Sequence, residues 1–270
     1  MDLRYWRQEY TLHLKPGAMI TKTTFPIYQN PDSDGSSFVW PGSKETGIVC
    51  LHGFTATTVE VRTFAEGLRR AGYSVAGPLL PGHGDTPAAL NKATWKDWYA
   101  AASSSFLQMQ GQCKNVFLAG ESMGALLSLL LAAEYPQIKG LLLFSPALII
   151  PGLWKSLFIW PFKAYSNKKN INLDSPWQGY NVVPVHAASE LWKLQSRARR
   201  ILHKVQTPAI VFQGKLDRTI NPLSSEIVLK NIGSDDTQLV WLEEAPHVIL
   251  LEGPVQQVVE ISLDFVASHT

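Results

Sequence analysis

Val116-Phe117-Leu118-Ala119-Gly120-Glu121-Ser122-Met123-Gly124 decides how this chain is read. Four apolar residues run into a glycine, and from Met123 to Glu134 a helical segment follows until Pro136 stops it. A strand therefore turns sharply into a helix, with Ser122 at the apex. Such a turn needs a strained backbone at its apex and glycines on either side, where the neighbouring chain passes close. The start of the helix also points free N–H groups and a positive dipole end at the serine. The competing reading is a buried serine that caps a helix. The strand before it and the helix after it favour an exposed nucleophile.

Outward from this turn, short apolar runs alternate with helical patterns. Strands are expected at 47–51, 73–76, 138–144, 209–212 and 238–242. Helices are expected at 59–71, 95–110, 224–231 and 255–266. Strands alternating with helices imply a mostly parallel sheet with helices on both faces. Residues 1–45 read as irregular structure with short strands, with a turn from Pro31 to Ser37. The rhythm breaks from Ser145 to Val205, too long a gap for a structureless loop. The expected division is a core of 1–145 and 206–270 with an insertion at 146–205. The insertion holds four of the nine tryptophans, and its Lys and Arg outnumber its two acids, Asp174 and Glu190. It is basic and aromatic, while the remainder is mildly acidic.

Composition excludes several classes. With 270 residues, 46% hydrophobic and 17% charged, the chain can bury a sizeable core and is not disordered. A net charge of +2 makes no case for nucleic-acid binding. Two cysteines, Cys50 and Cys113, cannot form a disulfide scaffold or a Cys-rich zinc site. Met1 to Tyr10 lacks the apolar run of a signal peptide. Gly140 to Trp154 is too short to span a membrane and reads as a buried strand and a turn. The expected setting is cytoplasmic.

A serine hydroxyl needs a base. Of the seven histidines, His247 lies after the last strand, on the side of the sheet where Ser122 sits. A base needs an acid to fix its tautomer. Asp217 follows the strand at 209–212 on another such loop, whereas Asp235 and Asp236 precede a strand and fall at the opposite end. The oxyanion of the reaction needs backbone donors. Met123 N–H, next to the serine, is one. Phe54 N–H, in the loop Leu51-His52-Gly53-Phe54-Thr55, is the other. His52 and His83 read as loop-shaping residues.

These segments together resemble the α/β-hydrolase superfamily, and more narrowly its bacterial carboxylesterase and monoacylglycerol lipase branch. The carrying residues are Leu51 to Thr55, Gly72-Tyr73, Pro81-Gly82-His83-Gly84, Gly120 to Gly124, Gly214 to Asp217 and Pro246-His247-Val248. The resemblance spans about residues 47–144 and 207–267. It implies the α/β-hydrolase fold, with a small cap at 146–205 inserted after the sixth strand. It also implies esters of short to medium acyl chains, or monoacylglycerols, as substrates. Glu121, and Ala56-Thr57-Thr58 in place of a glycine, depart from the branch.

The expected chemistry is ester hydrolysis through an acyl-enzyme on Ser122, with no metal and no cofactor. Leu153, Trp154, Phe158 and Val248 are the candidates for an acyl pocket. The basic aromatic cap suggests transient contact with a lipid surface. The expected partner is a small-molecule ester, with the chain a monomer or dimer. A thioesterase, acyltransferase or carbon–carbon hydrolase on the same residues remains open, as does a binding protein that kept the fold.

Overall fold

Every residue of Thr46–Leu51 is buried, so this strand must be covered on both faces. The computed structural model describes residues 27–168 and 171–270. Met1 to Tyr10, the first part of the expected core segment and Lys169 lie outside the described residues. The chain opens with β1 (Tyr28–Gln29) and β2 (Phe38–Trp40), then β3 (Thr46–Leu51), α1 (Val59–Arg70) and β4 (Ser74–Gly77). Then come α2 (Pro87–Lys92), α3 (Trp95–Gln110), β5 (Asn115–Glu121), α4 (Met123–Glu134) and β6 (Gly140–Phe144). The central sheet is completed by β10 (Ala209–Gly214) and β11 (Thr237–Leu242). Three helices accompany them: α7 (Leu223–Asn231), α8 (Ile249–Glu252) and α9 (Val255–Ser268).

The seven strands run in the order β11-β10-β6-β5-β3-β4-β2. All neighbours are parallel except β2, which pairs antiparallel with β4. The period of two in each strand splits the core into two layers. Val49, Leu51, Leu118, Leu141, Leu143 and Val211 face α3, α4 and α7. Ile48, Cys50, Phe117, Ala119, Leu142, Ile210 and Phe212 face α1, α8 and α9. Each fully buried Leu, Ile or Phe of these layers contributes about 1.5–3 kcal/mol of transfer free energy. This is the α/β-hydrolase architecture, a mostly parallel sheet with helices on both faces.

The expected strands and helices of the sheet form within one or two residues of their anticipated ends. At the start of β6 the shift is two residues: Ile138 N–H closes a turn onto Tyr135 O, so the strand begins at Gly140. Helix α2 was not anticipated. It is six residues long, too short for periodicity, but Thr86 caps it (Ala89 N–H to Oγ1, 3.1 Å) and Pro87 opens it.

Between β6 and β10 lie a 3-10 turn (Leu153–Lys155), α5 (Ser156–Ile159), β7 (Tyr165–Asn167), β8 (Gly179–Tyr180), β9 (Val182–Pro184) and α6 (Val185–Ile201). The short strands form two small antiparallel pairs, β1 with β8 and β7 with β9. Helix α6 buries Leu191, Leu194 and Ala198 in the same apolar layer as α4. Among the described residues no helix is long and apolar enough to cross a membrane.

Candidate active site

Ser122 sits between β5 and α4 with φ 56° and ψ −108°, a left-handed conformation that non-glycine residues rarely adopt. Its flanking glycines are required by contact. A Cβ on Gly120 would lie 2.4 Å from the Gly124 carbonyl, and one on Gly124 would lie 2.1 Å from Leu51 O. The turn is held from both sides: Ser122 N–H donates to Phe144 O (2.9 Å), and Ala147 N–H donates to Ser122 O (3.2 Å).

Strands β10 and β11 end side by side, Gly214 opposite Leu242. The loops leaving them are tied together by Leu216 N–H to Ala245 O (3.1 Å). The structure brings Asp217 from the first loop and His247 from the second to Ser122. His247 Nδ1 lies 2.8 Å from Asp217 Oδ2, and His247 Nε2 lies 3.0 Å from Ser122 Oγ. Burial pushes the Asp217 carboxyl up. The hydrogen bond and charge of His247, with the Ile220 and Thr219 N–H groups, outweigh it and hold Asp217 below the usual carboxylate range. An ionised carboxylate can only accept. His247 Nδ1 therefore carries a proton, and Nε2 is left to accept from Ser122 O–H.

Asp217 is also a turn residue, as its Oδ1 accepts from Thr219 N–H (2.8 Å) and Ile220 N–H (3.1 Å). The turn fixes the carboxylate where His247 meets it. Sequence reasoning missed a further support. Buried Gln213 donates to Asp217 Oδ2 (3.2 Å) and accepts from Ser225 Oγ (2.7 Å). Its only signal was a polar residue at the end of an apolar strand. Asp236 lies at the other end of the sheet, where its carbonyl accepts from Ala209 N–H and its carboxylate meets His269 (3.0 Å).

The loop after β3 lies against the serine: a Cβ on Gly53 would be 3.3 Å from Ser122 Cβ. His52 shapes this loop. Its Nε2 accepts from Leu80 N–H (3.0 Å) and its Nδ1 meets Gly53 O (2.9 Å). Burial pushes it down to about 4, so it is neutral. Phe54 is half-buried, edge-on to His83 and Trp98. Met123 is the buried first residue of α4.

Two carboxyls lie buried beneath the site. Glu60, in the first turn of α1, accepts from Gly53 N–H (2.5 Å). Glu121, just before the serine, accepts from Ile249 N–H (2.5 Å) and Leu250 N–H (3.3 Å), and so caps the helix that follows His247. Burial, reinforced by the charge of Glu60, pushes Glu121 well above the usual range.

The acyl-pocket candidates scatter. Leu153 packs against the core, and Val248 is half-buried beside His247. Trp154 and Phe158 contact each other and stand exposed, at 52% and 67%. Among the described residues no group of three or more His, Cys, Asp or Glu could hold a metal ion.

The fold and the Ser–His–Asp arrangement are those of an α/β-hydrolase of the serine type. The family model described as serine aminopeptidase, S33, matches residues 42–177 and 173–254, and the chain belongs to that family. It is 28% identical to a thermostable monoacylglycerol lipase of Bacillus sp. strain H-257, over 89% of this chain and 98% of that one. It is 26% identical to a carboxylesterase of Bacillus subtilis strain 168, over 77% of this chain and 87% of that one. It also resembles a solved structure from work on the metagenome-derived lipolytic enzymes LipS and LipT. That likeness has a TM-score of 0.83 and 31% identity, over 87% of this chain and 98% of that one.

Proposed function

We propose that the protein is a serine carboxylic ester hydrolase acting on short- to medium-chain acyl esters. The observation that carries this reading is the line from Ser122 Oγ through His247 to Asp217, at 3.0 and 2.8 Å. Ser122 Oγ attacks the ester carbonyl as its proton passes to His247 Nε2. Asp217 stabilises the imidazolium. Phe54 and Met123 N–H groups receive the oxyanion, each such donor being worth about 3–4 kcal/mol in the transition state. His247 then protonates the leaving alcohol. A water deprotonated by the same nitrogen releases the acid and restores Ser122. The close approach of Gly53 to Ser122 supports Phe54 as a donor, and the start of α4 supports Met123.

Residues 146–205 are read as a cap over a core of 1–145 and 206–270. Leu153, Trp154 and Phe158 of the cap and Val248 of the core are the proposed substrate contacts. A second reading, hydrolysis of monoacylglycerols at a lipid surface, is favoured by one feature. Trp154, Phe158, Ile159, Trp160 and Phe162 are exposed together in ten residues, with Lys155 and Lys163 among them. The proposed setting is the cytoplasm, which the buried free thiols of Cys50 and Cys113 suit.

The test is initial rates on p-nitrophenyl esters from about two to sixteen carbons, with Ser122→Ala as control. A Ser122-dependent maximum at short or medium chains is expected. A maximum at long chains would favour the monoacylglycerol reading. Ser122-dependent turnover of thioesters alone would replace the ester assignment, and no Ser122-dependent turnover of either would remove it.

A further inference from the structure

The cap sends one lysine into the buried carboxyls. Lys168 Nζ donates to Thr55 Oγ1 (3.2 Å) and lies 3.6 Å from the centre of the Trp177 ring. The Trp177 side chain also favours the charged form of the Glu60 carboxyl. Two acids from different elements face the ammonium, Glu60 on α1 and Glu252 on α8. Glu252 is itself hydrogen-bonded by Ser175 Oγ. Behind Glu60 stand Glu121 and His247.

Glu60 holds Gly53 N–H, while Lys168 holds the Thr55 hydroxyl. These residues flank Phe54. Thr55 is β-branched with φ 65°, a conformation that surrounding contacts must enforce. Its carbonyl also accepts from Tyr180 N–H of the cap (3.0 Å). Glu60 and Lys168 attract each other across this loop, so the pair straddles the donor assigned to the oxyanion.

We propose that Lys168 is a positioning residue of the reaction, whose ammonium, bonded to Thr55 and attracted by Glu60, holds the Gly53–Thr55 loop so that Phe54 N–H faces Ser122. This rests on the ester-hydrolase reading above. The role has a pH signature. Burial pulls Lys168 down to about 8, against the support of Glu60 and Glu252. The Lys168 ammonium is kept below that pH and lost as pH rises through it, while burial raises the Glu60 carboxyl above the usual range and sets the acid limit of the clamp. The turnover number should therefore fall on the basic side while KM changes little, because the loop acts on the transition state.

The experiment follows hydrolysis of a soluble short-chain ester by pH-stat from about pH 6 to 10. Wild type, Lys168→Met, Lys168→Arg and Glu252→Gln are compared, with folding checked by circular dichroism. Lys168→Met is expected to lose about ten- to a hundredfold in kcat at neutral pH, as a displaced donor does, and to lack the basic limb. Lys168→Arg, whose guanidinium stays charged, should recover most of kcat and carry no limb near 8. Glu252→Gln removes a supporting charge, so its limb should move to lower pH. This variant decides the matter if Lys168→Met does not fold. Wild-type kcat with the limb intact in Lys168→Met, a loss confined to KM or to thermal stability, or an unmoved limb in Glu252→Gln would overturn the proposal. Absence of Ser122-dependent turnover in the wild type would instead overturn the ester-hydrolase reading.

Discussion

Ser122 holds the apex of its turn at a cost in backbone strain, which predicts a stability difference between two variants. Ser122→Ala keeps a Cβ at φ 56°, whereas Ser122→Gly removes it. Strain of this kind costs about 1–3 kcal/mol, and the glycine gives back part of that gain as chain entropy. Ser122→Gly should therefore unfold a few degrees above Ser122→Ala in a thermal melt; equal or reversed midpoints would mean an unstrained turn. Glu121 carries a second residue-scale prediction. Burial and then the charge of Glu60 raise its folded-state carboxyl well above the unfolded value. A raised acid costs nothing below the unfolded value of about 4.3, and the penalty grows as pH rises above it. Relative to wild type, Glu121→Gln should gain stability in thermal melts as pH rises above about 5. A gap that does not change with pH would deny the shift. Ser122, His247 and Asp217 were legible because each stands on a loop at the end of a recognisable strand. Glu60 and Lys168 were not. An acid in the first turn of a helix reads as a complement to its dipole. A lysine in Ser166-Asn167-Lys168 reads as a solvated loop. Only the tertiary fold turns both inward.

At the scale of elements, the sheet was readable because strands covered on both faces appear as unbroken apolar runs between turn residues. The stretch between β6 and β10 was not. Its strands are two or three residues long, too short to show a period, and β8 takes its partner, β1, from the distant start of the described chain. Helix α6 (Val185–Ile201) lies inside it and was not anticipated either. Ala187, Leu191, Leu194, Ala198 and Ile201 bury one face against α4 and the sheet layer below. If the cap moves, α6 should stay behind as its base, because freeing it would expose that whole face. Leu194 is fully buried, so Leu194→Ala should cost about 2–5 kcal/mol in urea unfolding, as truncations in a close-packed core do. A loss under about 1 kcal/mol would mean that α6 separates from the core at little cost and belongs to the moving part.

For the whole molecule, the distribution of apolar surface matters more than its total. Most large apolar side chains are buried, yet Trp154, Phe158 and Phe162 are exposed at 52%, 67% and 90% within nine residues. Soluble proteins seldom leave such a cluster facing water without use. Lys155 and Lys163 lie within the cluster and are exposed, so the patch combines apolar anchors with positive charge. An amphipathic surface of this kind inserts its rings at the level of lipid headgroups while its lysines meet anionic phosphates. A polar triple variant, Trp154→Ser, Phe158→Ser and Phe162→Ser, separates lipid contact from acyl-pocket lining. If the patch meets lipid, the variant should keep its rate on a dissolved short-chain ester. It should lose about tenfold or more on monoacylglycerol presented in vesicles with an anionic lipid, because burying three aromatic rings is worth several kcal/mol. Raising the salt concentration should weaken the wild type on those vesicles, since the lysine contribution is screened beyond about a Debye length. Equal losses on dissolved and vesicle-borne substrate would assign the three rings to the acyl pocket instead. No loss on either would leave the patch outside the reaction altogether.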